Sequence, residues 1–266
     1  MSSSERQKSN GSRKGMLMID WNILSSELSR EGLAQVGYAD VADALPARYA
    51  HLPRAVVLVW RLADGVFDEV ADRETPTFSY FQHYRAVNAT LDRMTLRIAA
   101  LLERDGARAL PIAASQSVHD NGPYAGVFPH KTAAVRAGLG WIGRSALFVS
   151  DAYGPRVRLA TVLTDHPLTG ASVNRCESVS RCGACTRCVD ACPAGAIQGA
   201  EYVPGTPRAA LLDAQACSEY MKRTYQKIGR GAVCGICAAV CPYGQRGNSQ
   251  KGSETYGIQF NSDRNV

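Results

Sequence analysis

The chain has 266 residues, enough for one large domain or two ordinary ones, and 45% of them are hydrophobic, the share expected of a protein with a buried core. Its net charge of +6 permits contact with nucleic acid or acidic cofactors without requiring it, and part of the excess sits at the start, where Arg6, Lys8, Arg13 and Lys14 outnumber Glu5. No apolar run reaches the length of a membrane span, and residues 1–15 carry neither a signal peptide's apolar stretch nor adjacent arginines, so a cytoplasmic protein with no membrane partner is expected.

Residues 1–18, rich in Ser, Lys, Arg and Gly, read as a flexible tail. A helix is expected from about Asn22 to Gln35, with Ile23, Leu24 and Leu28 on one face. The apolar run Ala55 to Trp60, rich in β-branched residues, suits a buried strand. From about Thr77 to Asp105, Tyr84, Val87, Leu91, Met94, Ile98 and Leu101 recur at steps of three and four, the stripe of an amphipathic helix. Gly106 then stands where a C-terminal cap belongs. Ala109 to Ala113 predicts a strand, and His130 to Ala137 a short helix stopped by Gly138. Ser145 to Ser150 and Val157 to Thr164 predict two further strands, joined by the turn-rich link Asp151 to Arg156. These elements define an α/β (α+β) unit over residues 19–172. A second unit follows over 173–244, and residues 245–266 read as a polar C-terminal tail.

Two segments carry chemistry. In the first, Gly138, Gly140 and Gly143 fall within six positions after a helix, which lets the backbone come close to a flat partner or adopt angles closed to other residues. The G-x-G-x-x-G spacing does not read as a dinucleotide site, because these glycines follow a helix and lead into a strand, the reverse of the required order. The second segment holds Cys182-x2-Cys185-x2-Cys188-x3-Cys192-Pro193, then Cys217, then Cys234-x2-Cys237-x3-Cys241-Pro242. Structural zinc needs four ligands, commonly two C-x2-C pairs, and a third cysteine followed by x3-C-P exceeds that. A disulfide framework belongs to small secreted chains. In the ferredoxin run C-x2-C-x2-C-x3-C-P the fourth cysteine ligates the other cluster. That rule assigns Cys182, Cys185, Cys188 and Cys241 to one [4Fe–4S] cluster, and Cys192, Cys217, Cys234 and Cys237 to a second. Cys176 is left over and reads as a plain thiol.

Taken together, the run Ala137-Gly138-Leu139-Gly140-Trp141-Ile142-Gly143-Arg144, the later Leu163-Thr164-Asp165 and the two-cluster pattern with its solitary Cys217 resemble epoxyqueuosine reductases. More distantly, they resemble the respiratory reductive dehalogenases. The resemblance covers roughly residues 20–245. It implies a nitroreductase-like core that binds cobalamin, followed by a ferredoxin-like double [4Fe–4S] domain supplied by a low-potential donor of ferredoxin or flavodoxin type. Under it, Gly138, Gly140 and Gly143 would clear room for the corrin, Leu139 and Trp141 would pack its apolar edge, and Ile142 and Arg144 would complete the contact. Ser117-x-His119-x-x-Gly122 is a near miss to a corrinoid lower-ligand motif without its aspartate, so His119 reads as an ordinary polar residue.

Reduction at such a site needs a proton donor. Asp120-Asn121-Gly122-Pro123 matches the family's Asp-x-Gly/Ala-Pro motif and is also ideal turn chemistry. The long gap from Asp120 to Gly138 leaves Tyr124 and His130 open as donors beside Asp120. The chain departs from the family in three places: it has no helical-repeat region after the clusters, it has Arg144 where lysine is commoner, and it has Glu219 after Cys217. A tRNA-borne substrate and a small molecule therefore both remain open. So does a different class of function, a ferredoxin-type electron carrier that reduces a corrinoid or partner enzyme without catalysis of its own.

Overall fold

The computed structural model describes residues 19–118, 123–229, 231 and 233–244. The expected tails, and the segment 119–122 with His119 and Asp120, lie outside the described residues.

The core is a four-stranded antiparallel sheet in the order β1-β2-β6-β3, built from β1 (Gln35–Asp40), β2 (Arg54–Arg61), β6 (Val157–Thr164) and β3 (Ala109–Ile112). The two central strands are apolar without alternation because both faces of the sheet are covered. Ala55, Val56, Val57, Leu58 and Val59 are all fully buried. Val56, Leu58, Ala160 and Val162 face one core with α1 (Trp21–Arg30), α2 (Asp64–Arg73) and α3 (Phe78–Arg104). Ala55, Val57, Val59 and Leu163 face a second core with α4 (His130–Arg136). Pro111, which cannot donate to a ladder, sits on the edge strand β3.

The long helix α3 runs as its stripe predicts. Val87, Leu91, Met94 and Ile98 are buried, Thr77 caps its start by accepting from the Tyr80 N–H at 3.1 Å, and Gly106 follows its end in the left-handed region. Helix α1 is shorter than expected. It stops at Arg30, and Gly32 turns the chain at φ +100, so that Gln35 begins the unexpected strand β1 instead of closing the helix. Ile23 lies outside the buried face and is 64% exposed, whereas Leu24 and Leu28, one helical turn apart, enter the core.

The expected strand Ser145 to Ser150 shrinks to β5 (Phe148–Ser150), paired with β4 (Gly140–Ile142). The reason is local. Ala146 takes φ +59, and its N–H closes a turn onto the Gly143 carbonyl at 2.9 Å, leaving residues 143–147 as the hairpin's bend. Beyond β6 the chain continues into short helices α5 (Arg187–Asp190) and α6 (Arg208–Leu211), the sixteen-residue α7 (Ala214–Gly229) and α8 (Ile236–Ala239). None of the four was anticipated as a helix.

Candidate redox site and adjoining cavity

The short helices set the cysteines. Cys188 lies on α5, Cys217 on α7 and Cys237 on α8, while Cys182 and Cys185 share a turn closed by the Cys185 N–H and the Cys182 carbonyl at 3.1 Å. Their electrostatic neighbourhoods fall into two sets. Cys241 feels Cys182, Cys188 and Cys185, and Cys188 feels Cys182 and Cys185. Cys217 feels Cys192, and Cys234 feels Cys217 and Cys192. Cys237 feels Cys234, Cys217 and Cys192, and also Cys188, so the two sets adjoin. The crossed ligand rule expects ligands grouped in this way.

Burial raises the thiol pKa of Cys188, Cys217 and Cys237 and pushes those of Cys234 and Cys241 up to about 11, with neighbouring thiolates adding to the rise. Eight crowded thiols are therefore unfavourable as thiolates unless positive charge lies beside them. Backbone N–H groups point at the sulfurs as well: Arg144 donates to the Cys182 Sγ at 3.4 Å, Ile236 to Cys234 and Tyr243 to Cys241. Such contacts tune cluster potential. No three His, Cys, Asp or Glu among the described residues gather tightly enough for a single metal ion. A cubane spreads its four thiolates over its corners and does not need that closeness.

The glycine segment is the seam between the sheet domain and these cysteines. Gly138 ends α4 at φ +76, and a Cβ there would lie 3.3 Å from the Cys176 Sγ. Gly140 permits the hairpin, since a Cβ would fall 2.1 Å from the Val149 carbonyl oxygen. A Cβ on Gly143 would lie 3.0 Å from Val149 and 3.6 Å from the Cys182 Sγ. Leu139 and Ile142 pack in the second core. Trp141 is 2% exposed and meets Tyr243 edge-on at 4.9 Å, one residue past Pro242. The Arg144 guanidinium crosses into the cluster domain, donating to the carbonyls of Gly199 and Gly183 (2.7 Å for Gly183) and pairing with Glu201 at 2.9 Å. The close approach these glycines allow is thus to other parts of the protein.

A cavity of about 600 Å³ opens immediately beyond this segment. None of residues 138–144 lines it, and its wall begins at Ser145. Ala113, Ala114, Ser115, Gly126, Ser145 and Ala146 contribute small side chains to its wall. His130 and Tyr124 are both in the wall; Asp120 lies outside the described residues. His130 has both ring nitrogens engaged, Nε2 with the Ala113 carbonyl at 3.0 Å and Nδ1 with the Thr161 Oγ1 at 2.8 Å. A carbonyl only accepts, so Nε2 carries the proton and Nδ1 accepts from the threonine. Burial lowers this imidazole's pKa to about 4 and leaves it neutral at pH 7. Tyr124 holds a left-handed backbone, φ +61, in which its carbonyl accepts from Arg208 at 2.7 Å.

Three cavity residues escaped the sequence reading: Lys131, Arg158 and Arg208. Lys131 donates to the Ala146 carbonyl at 2.6 Å, and burial together with the Arg208 charge lowers its pKa to about 8. Arg158 had a visible signal, as the one charge within the apolar run of β6. Lys131 and Arg208 had none that separates them from solvent-facing cations.

Residues 181–244 match the 4Fe–4S double cluster binding domain. Among curated proteins, the chain is similar to the epoxyqueuosine reductases of Listeria monocytogenes (30% identical over 54% of this chain and 36% of that protein) and Synechocystis (34% over 52% and 45%). It is also similar to the tetrachloroethene reductive dehalogenase of Dehalobacter restrictus, 32% identical over 41% of this chain and 21% of that protein. The match spans less than half the length of each. Among solved structures, the catabolic reductive dehalogenase NpRdhA superposes with TM-score 0.60 at 22% identity, over 82% of this chain and 31% of that one. A reductive dehalogenase described in connection with B12-dependent dehalogenation gives TM-score 0.60 at 21% identity, over 89% and 34%. The α/β sheet unit with its cluster domain is thus a fold these proteins share.

Proposed function

We propose that this chain is an iron–sulfur, cobalamin-dependent reductase, an oxidoreductase of epoxyqueuosine reductase type, in which two [4Fe–4S] clusters supply electrons to a corrinoid in the cavity behind the glycine segment. The observation that supports the reading is that the cysteine-rich domain itself lines a cavity of about 600 Å³: Arg208 and Leu212, between Cys192 and Cys217 in sequence, stand in its wall, and Arg208 is an electrostatic neighbour of Cys217. The comparisons support it through the double cluster domain and through relatives that are named reductases. On this reading the core is nitroreductase-like, the units divide at 172/173, the donor is a low-potential ferredoxin or flavodoxin, and the protein works in the cytoplasm. No helix among the described residues is long and apolar enough to cross a membrane.

The small-residue wall suits the face of a corrin, part of which would stand outside a cavity of drug-ligand size. The site assigned to residues 138–144 moves accordingly. They brace the cluster beside the cavity, and residues 113–115, 126 and 145–146 take the ring. When bound, a corrinoid supplies a low-potential metal centre able to cleave a carbon–oxygen or carbon–halogen bond. The protein's part is to hold, orient and protonate. Lys131 and Tyr124 stand in the wall with protons to give, Asp120 remains the motif-based acid, and His130 holds Thr161 and Ala113 in position instead of exchanging its proton. A passive carrier has no use for such a cavity.

The test is anaerobic reconstitution with iron, sulfide and cobalamin, followed by assays on epoxyqueuosine-bearing tRNA and on small halogenated or epoxide substrates. Stoichiometric cobalamin uptake with a changed corrin spectrum is expected. Iron loading without any corrinoid uptake would leave the electron-carrier reading in its place. With cobalamin bound, Asp120→Asn should lose turnover and keep uptake if Asp120 is the acid.

A further inference from the structure

The cavity's charge is one-sided. Lys131, Arg158 and Arg208 all line it, and no Asp or Glu does among the described residues. Among the described residues, the acceptors that hold each cation are neutral. Lys131 donates to the Ala146 carbonyl, and Arg208 to the Tyr124 carbonyl. Arg158 donates to the Asn88 Oδ1 and the Ala114 carbonyl, both at 2.9 Å, and lies 4.3 Å from the centre of the Tyr84 ring. Among the described residues none of the three appears in an ion pair, whereas Arg97, Arg136 and Arg181 all have carboxylate partners. Lys131 and Arg158 are part-buried, where an uncompensated charge costs free energy that a bound anion would offset, while Arg208 is exposed. The wall also carries apolar side chains, Ile112, Phe128, Phe148, Val157 and Leu159.

We infer that this cavity binds a small organic anion, with an apolar body against the Phe128–Phe148 side and a carboxylate or phosphate head met by Lys131, Arg158 and Arg208. The inference deepens the reductase reading, rests on it for the cavity's role, and names its substrate class as anion-headed small molecules. Arg158 and Arg208 bring planar guanidinium forks suited to oxyanions, and Lys131 brings a point charge. Backbone carbonyls already fix two of these side chains, and the Asn88 amide oxygen with the Ala114 carbonyl fixes the third, so an arriving anion has little side-chain freedom left to freeze.

The test is calorimetric titration of the iron-loaded full chain with benzoate and with benzamide, its neutral near-isostere, each with and without cobalamin. Benzoate should bind at least about tenfold more tightly than benzamide, and its affinity should fall as salt rises. Lys131→Gln, Arg158→Gln and Arg208→Gln should each weaken benzoate and leave benzamide unchanged, while Lys131→Arg and Arg158→Lys should retain part of the preference. Equal affinity for the two probes in wild-type protein overturns the inference without needing any variant to fold. A second outcome also overturns it: cobalamin abolishes benzoate binding, and the Gln variants weaken cobalamin but not cobinamide, which lacks the nucleotide-tail phosphate. The cations would then serve the cofactor. Corrinoid uptake is read separately, so a protein that binds benzoate and no corrinoid fails the reductase reading while keeping the anion site.

Discussion

His130 shows how a residue's neighbours override its type. Histidine next to a cavity invites an acid–base role, yet a carbonyl and a hydroxyl occupy both ring nitrogens and burial lowers its pKa to about 4 from 6.5. Between those values the unfolded chain binds a proton that the folded one refuses. The stability this group contributes is therefore complete above pH 6.5 and is lost as the pH falls toward 4, by at most about 3 kcal/mol. We expect the melting temperature of wild-type protein to fall more steeply from pH 6.5 to 5 than that of His130→Gln; parallel slopes would contradict this. Gly140 was legible as special, but for a different partner. Its missing Cβ makes room for the Val149 carbonyl, so Gly140→Ala should destabilise the fold by about 1–3 kcal/mol in thermal unfolding. Trp141 was likewise marked out by the sequence, and its neighbour, Tyr243, comes from the far end of the cluster domain. No spacing in the chain announces a contact between residues a hundred positions apart.

At the level of elements, regular period was readable and interruption was not. The α3 stripe and the β2 run were plain because burial on one face or on both leaves a direct imprint. Strand β1 was hidden because Gln35-Val36-Gly37-Tyr38-Ala39-Asp40 carries little β-branched signal, and the sheet's edge holds it in place. The helices of the cluster domain were hidden because their positions serve sulfur geometry: α5 and α8 are four residues long and each carries one cysteine. Helix α3 also supports them. Tyr80 near its start is buried against Phe67 at 5.4 Å, and a Cβ on Gly235 would meet its ring at 2.5 Å, beside Cys234 and Cys237. Tyr80→Ala should therefore cost about 3–5 kcal/mol and hasten oxygen bleaching of the cluster held by Cys234 and Cys237. Loss of stability with unchanged bleaching would show that the ring packs without protecting the cluster.

Across the whole molecule, the cluster domain and the sheet domain share one seam. Tyr243 and Gly244 press on Gly154 and Arg156, Trp141 packs against Tyr243, and Arg144 reaches Gly183 and Glu201. The ligand spacing predicts two clusters and a chain that crosses between them. It did not reveal that the seam lies against a cavity with three cations in its wall, because Lys131, Arg158 and Arg208 come from α4, β6 and α6 and meet only in the folded chain. The crossing itself is the claim on which the electron path depends, and paired substitutions test it most directly. In anaerobically reconstituted protein, Cys192→Ser with Cys234→Ser, far apart in sequence, should strike one cluster and leave about four irons of about eight. Cys188→Ser with Cys192→Ser, neighbours within one run, should strike both clusters and leave few. The reverse pattern, with the neighbouring pair sparing one whole cluster, would contradict the interleaved arrangement.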